Sequence, residues 1–106
     1  MIAEEEPDCP PVVLADGEIS QELEIVNRKG LHARATAKFV QCVEQFKAKI
    51  RVTRCGDTVG GDSIMGILTL GAGIGSTITV SASGPQASES IAALAALVAN
   101  RFGEDE

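Results

Sequence analysis

Apolar and polar positions change period several times along this chain, and each change marks an element. From Glu18 onward, Ile19, Gln21, Leu23 and Ile25 fall on one face and Ser20, Glu22 and Glu24 on the other, the two-residue period of a half-buried strand. Arg28, Lys29 and Gly30 break it. Between Leu31 and Phe46 the repeat becomes helical: Ala35, Phe39, Cys42, Val43 and Phe46 form one stripe, which predicts a helix of about four turns. Ala48, Ile50 and Val52 then alternate with Lys49, Arg51 and Thr53 as a second strand, Cys55 to Asp57 is a turn, and Thr58 to Gly60 is a short third strand. Asp62-Ser63 opens a short helix through Ile64, Met65, Ile67, Leu68 and Leu70, closed at Gly71. Beyond a glycine-rich connector, Gly71 to Gly75, the alternation of Ile78, Val80 and Ala82 predicts a fourth strand from Thr77 to Ser83. Gly84-Pro85 begins a last helix in which Ala87, Ile91, Leu94, Ala95, Val98 and Phe102 share a face, and Gly103 ends it.

The order β-α-β-β-α-β-α, with polar faces on the strands, predicts an α+β fold. Its form is an open-faced β-sandwich: a four-stranded antiparallel sheet, wet on one side and covered by three helices on the other. Residues 18–103 are expected to make this domain. Residues 1–17 carry three of the four prolines, several acids and no amphipathic period, and read as a flexible acidic arm outside it; residues 104–106 are an acidic C-terminal tail.

A chain of 106 residues can build one core without metal or disulfide staples. No apolar run reaches the roughly 18 residues needed to span a bilayer, and the first residues are acidic, unlike a secretory or transit peptide. The expectation is a cytoplasmic protein without membrane insertion. Cys9, Cys42 and Cys55 are odd in number and match no CxxC spacing, so reduced thiols are expected: Cys42 on the apolar helix stripe, Cys55 exposed in a turn, no metal site. The net charge of −6 argues against nucleic-acid binding. The total nevertheless hides a block, since eight of the nine Lys and Arg lie between Asn27 and Arg54 with Glu44 as the single acid among them. Such a block is either a solvated basic surface or a field that steers an acidic protein or a phosphorylated group to one face.

His32 is the single histidine, placed where a Gly-Leu loop meets the first turn of the long helix. Free backbone N–H groups and the positive end of the helix dipole there attract anions such as phosphate, and they favour the neutral, nucleophilic imidazole. Arg34, two residues on, can fork onto phosphate oxygens. An imidazole that titrates near neutrality can attack phosphorus. Local pattern alone leaves open a second reading, an exposed histidine with no role. Gly71, Gly73 and Gly75 are not followed by the Lys-Ser or Lys-Thr of a phosphate loop and read as a flexible connector.

The string Gly30-Leu31-His32-Ala33-Arg34-Ala35, followed by Ala37, Phe39 and Val40, resembles the active-site segment of the HPr family, the histidine-containing phosphocarriers of the phosphoenolpyruvate-dependent phosphotransferase system. Asp62-Ser63-Ile64-Met65-Gly66-Ile67-Leu68-Thr69-Leu70-Gly71 resembles that family's stretch around a regulatory serine. The resemblance runs from Ile19 to Phe102. It implies a phosphoryl carrier, not a turnover enzyme, with no cofactor: enzyme I phosphorylates the imidazole on its δ nitrogen, and A-type domains of enzymes II accept the group. By the same resemblance His32 is the phosphorylated residue, Arg34 supports the phosphate, and Ser63 is the target of a serine kinase and phosphorylase in some members. Ala33, Ala37, Ile64, Met65 and Leu68 match the partner-docking patch; for the last three, packing in the core of the short helix is the alternative.

Departures from the family pattern are Ala35 where proline usually follows the arginine, Lys29 where asparagine is frequent, and Glu44 where a base is often found. They bear on partner choice more than on chemistry, and fit a variant branch feeding a regulatory or nitrogen-related phosphorelay in place of sugar uptake. Three other functions stay in view: a regulatory binding protein switched by phosphorylation, a small ligand- or RNA-binding module, and an independent hydrolase. The RNA-binding module lacks aromatics on its strands for base stacking, because Phe39, Phe46 and Phe102 all occupy helical positions. The hydrolase lacks any base or second acid near His32 in the sequence.

Overall fold

The computed structural model describes residues 9–105. Its elements run β1 (Ile19–Glu24), α1 (Ala33–Val43), β2 (Lys49–Arg54), β3 (Asp57–Gly60), α2 (Ile64–Thr69), β4 (Thr77–Ser83) and α3 (Ala87–Ala99), with a 3-10 turn at Arg101–Gly103. The four strands form one sheet in the order β1-β4-β2-β3, every neighbouring pair antiparallel. This is the open-faced α+β sandwich expected from the alternation.

The strand period shows directly in the burial. Ile78, Val80 and Ala82 of β4 are wholly buried, as is Val52 of β2, and they meet Phe39 of α1, Ile67 of α2 and Leu94 and Val98 of α3 in one core. Ile19, given to that face by its parity, is 41% exposed: it is the first residue of the edge strand β1, paired with Ala82. The expected helix from Leu31 to Phe46 is shorter, because His32 stays extended as its N-cap and Gln45 and Phe46 leave the α-helix for turns closed on Cys42 and Val43.

The last helix also ends early. Phe102 is buried completely, as its apolar character demands, but it reaches the core from the 3-10 turn and not from α3. Arg101 and Phe102 both take left-handed backbone angles, φ 54° and 55°, which reverse the chain. Lys38 secures that turn by donating its Nζ to the Phe102 carbonyl at 2.7 Å.

The expectation of three reduced cysteines is corrected. Cys9 is joined to Cys55 in a disulfide, with Cα atoms 4.6 Å apart, and Cys42 remains free, half-buried with its thiol pKa pushed up by burial. An odd count leaves one cysteine over but does not prevent a pair; what sequence spacing could not show is that the chain before β1 folds back to the β2–β3 turn. From Cys9 onward it crosses the face of the sheet opposite the helices. Pro10, Pro11 and Val12 border a groove of about 710 Å³ with Glu22, Glu24, Thr53, Thr77 and Thr79. Arg51 grips Glu18 through two bonds of 2.8 and 2.6 Å and also reaches the Val13 carbonyl at 3.2 Å. That face is therefore wet only in part: Thr53 and Ser81 on it are buried. Met1 to Asp8 and Glu106 lie outside the described residues. Among the described residues no helix is long and apolar enough to cross a membrane.

Candidate functional site

The loop before α1 is tied down by its own backbone. Gly30 N donates to the Asn27 carbonyl at 3.1 Å, Asn27 Nδ2 to the Gly30 carbonyl at 2.8 Å, and Leu31 N to Ala72 of the connector at 2.9 Å. Leu31 and Ala35 are buried, and Thr36 Oγ1 closes onto the Leu31 carbonyl at 3.2 Å. These contacts hold His32 at the N-cap of α1, with φ −77° and ψ −178°. Its carbonyl accepts from Thr36 N at 2.9 Å, whereas its side chain makes no capping bond and no acid occupies the first helical turn. The first-turn amides and the positive dipole end are thus open to an external anion beside the imidazole.

The imidazole has a partner that local sequence did not reveal. Its Nε2 lies 2.6 Å from Glu104 Oε2, a contact spanning 72 positions of sequence. Asn27, itself fully buried, holds the other oxygen of the same carboxylate through Nδ2 at 3.1 Å. The hydrogen bond to His32, assisted by that from Asn27 and by the charges of His32 and Lys29, keeps the Glu104 carboxyl below the usual range in spite of partial burial. The expectation that no acid stands near His32 is corrected on this point. Glu104 was legible only as part of an acidic tail, and Asn27 carried no signal.

Around the ring, Arg28, Lys29 and Arg34 join Ala33, Glu104 and Asp105 in lining a concavity of about 550 Å³. Part of the basic block in the sequence is therefore gathered at the histidine. Arg34 is exposed and makes no hydrogen bond or ion pair among the described residues, so its guanidinium is available to a ligand. The site combines a nucleophilic imidazole, helix amides and cationic side chains, a set suited to receiving a phosphoryl group.

The remaining candidates lie on α1 and α2, which pack against one another. Ala33 is exposed and Ala37 half-buried; Ile64 is 42% and Met65 71% exposed, while Leu68 is half-buried. Core packing does not account for Ile64 and Met65, since Ile67 is the buried residue of α2. Ile74, on the connector whose Ala72 bonds Leu31, adds a large apolar side chain, 60% exposed, that carries no periodic signal in the sequence. Ser63 is the N-cap of α2, its Oγ accepting from Gly66 N at 3.0 Å. The connector glycines Gly71, Gly73 and Gly75 are exposed, and Gly75 borders the groove on the other face of the sheet.

Comparison with known proteins places these residues in context. A family model described as the PTS HPr component phosphorylation site matches residues 19–100. The phosphocarrier protein HPr of Cupriavidus necator is 47% identical over 88 residues, 83% of this chain and 99% of that protein. That of Neisseria meningitidis is 42% identical over the same shares of both chains. Among solved structures, an HPr from Thermoanaerobacter tengcongensis superposes with a TM-score of 0.80 at 40% identity, covering 83% of this chain and 99% of the other. One from Bacillus anthracis gives 0.75 at 40% identity, covering 78% and 99%.

Proposed function

The chain belongs to the HPr family of phosphocarrier proteins, and from that membership we propose that it receives a phosphoryl group from phosphorylated enzyme I on His32 and passes it to A-type domains of enzymes II. The observation that carries this reading is the placement of His32: its ring stands at an uncapped helix start, in a concavity whose rim holds Arg28, Lys29 and Arg34.

In the forward step an imidazole nitrogen of His32 attacks phosphorus in line, the bond from phosphorus to the donor atom of enzyme I breaks, and its electron pair stays with the donor. The amides of the first turn and Arg34 meet the charge of the arriving group. Transfer onward is the reverse, so the protein is regenerated unchanged and acts as a stoichiometric carrier in the cytoplasm without a turnover pocket. Exposed Ile64 and Met65, with Ala33, Ala37 and Leu68, form the apolar surface that both partners press against. Ser63, half-buried as the N-cap at the head of α2, is the regulatory position, the target of a serine kinase. Of the departures from the family pattern, Lys29 and Glu44 are exposed beside and at the end of α1, where they bear on the choice among sugar, nitrogen-related and regulatory acceptors, whereas Ala35 is buried in the core.

The test is incubation with enzyme I and labelled phosphoenolpyruvate. Acid-labile label is expected on the parent and none on His32→Ala; equal labelling of the two proteins refutes the assignment.

A further inference from the structure

We propose that Glu104, held by Asn27, is a positioning residue that keeps the His32 ring protonated on Nε2 and reserves Nδ1 as the phosphoryl acceptor. This rests on the carrier reading above and assigns a new part to the segment after α3.

A neutral imidazole carries one proton and has two nitrogens that could hold it. A carboxylate can only accept, so the 2.6 Å contact from Glu104 Oε2 requires the proton to be on Nε2, which leaves the lone pair on Nδ1. Nδ1 makes no hydrogen bond among the described residues, so that lone pair is free to attack. The two nitrogens diverge across Cε1, so carboxylate and incoming phosphoryl group occupy different edges of the ring and do not compete for space.

The carboxylate also has work during transfer. When Nδ1 bonds phosphorus the ring gains positive charge while keeping its Nε2 proton, and Glu104 is the anion placed to stabilise that state. When the Nδ1–P bond breaks toward an acceptor, the electron pair returns to Nδ1 and the ring departs neutral with the same proton. No proton has to enter or leave in either direction, and a neutral imidazole is a better leaving group than an imidazolate. Carboxylates that hold a catalytic histidine in one tautomer act by the same physics.

The placement of Glu104 is built by three attachments and is not a chance meeting of a loose end. Phe102 is fully buried in the left-handed turn, Lys38 Nζ holds its carbonyl, and Glu104 N closes onto the Arg101 carbonyl at 2.9 Å. Asn27 then fixes the carboxylate from the loop that carries His32, using the same Nδ2 that holds the Gly30 carbonyl. Loop and C-terminal segment are thereby registered to one another at the ring.

The experiment uses the full chain labelled with ¹⁵N-histidine. In the parent, above the titration of the imidazole, NMR is expected to show Nε2 protonated and Nδ1 bare. Glu104→Gln should mix the two tautomers and slow single-turnover phosphorylation by enzyme I about tenfold or more, with the melting temperature nearly unchanged. A Glu104→Gln protein with the parent's tautomer ratio overturns the proposal, whatever its rate, and so does one phosphorylated at the parent's rate. A parent that takes no label from enzyme I overturns the carrier reading and this role with it, which separates the two failures.

Discussion

Gly30 lies so close to the connector that a methyl group on its α-carbon would sit 2.6 Å from the Ala72 carbonyl oxygen and 2.7 Å from the Gly73 α-carbon. Its φ of 66° is left-handed as well. Both demands are met by glycine alone, and together they allow Leu31 N to reach Ala72 and so set the ring of His32. Gly30→Ala should cost about 2–4 kcal/mol in chemical denaturation, from the left-handed backbone and the steric overlap together. The transfer rate should fall further than the lost folded fraction explains, since the loop shift moves His32. A stability within about 0.5 kcal/mol of the parent would show that the connector yields freely.

The elements with a clean period are legible in the amino-acid sequence itself. Alternation in β4 places Ile78, Val80 and Ala82 inside, and Ser63 announces the start of α2 one residue before Ile64. What escapes is non-local. The carboxylate at His32 arrives 72 positions later because Phe102, which fits the helical stripe by spacing, enters the core from a left-handed turn instead. The Cys9–Cys55 link depends likewise on a chain segment folding back over the sheet, an event without a local period. The candidate residues His32 and Arg34 are legible for the opposite reason: a helix start next to a histidine is a local feature.

Arg34 is exposed and without a partner among the described residues, so the fold does not lean on it. Arg34→Ala should leave the melting temperature within a degree or so of the parent while slowing phosphorylation of His32, because the role proposed for it begins when phosphate arrives. Stopped-flow transfer from enzyme I and a thermal melt measure the two quantities. Parallel losses in both would indicate a structural part for this side chain.

Acid should open the Glu18–Arg51 pair. The hydrogen bonds from Arg51, with a smaller part from the Ala15 amide, hold the Glu18 carboxyl below the usual carboxylate range. A lowered pKa in the folded state means the stabilisation is fully present above the ordinary glutamate value and is lost as pH falls through the lowered one. Glu18→Gln should therefore melt below the parent by a few degrees at neutral pH, and the gap should close toward acid. Melting curves across that range decide it; a gap that widens on acidification would reverse the assigned sign.

The disulfide closes a loop between Cys9 and Cys55, 46 positions apart. Loop-closure entropy sets its stabilisation at about 2–4 kcal/mol, allowing for residual structure in the unfolded chain. Cys9→Ser should melt lower than the oxidised parent, and a dithiol reductant should bring the parent down to the variant while leaving the variant unmoved. Identical melting of parent and Cys9→Ser under oxidising conditions would mean that the chain before β1 adds nothing to the domain.

Ser63 joins a cap to an exposed apolar surface, and substitution can separate the two. Its Oγ accepts from Gly66 N at 3.0 Å, a bond whose removal by alanine costs about 1 kcal/mol at a typical N-cap. Aspartate can take the same bond and adds negative charge at the positive end of α2, so Ser63→Asp should melt close to the parent. Its effect should fall on docking. The next two residues, Ile64 and Met65, are 42% and 71% exposed, and an anion beside them must lose its water against any apolar partner surface. Repulsion from acids on that partner adds to the loss. Ser63→Asp should then raise the KM for enzyme I at least about tenfold, roughly 1.4 kcal/mol of interface energy, with the fold intact. Ser63→Ala is the complementary variant: it should lose stability and keep its affinity for enzyme I. If Ser63→Asp binds and accepts phosphate as the parent does, Ser63 is a cap and nothing more.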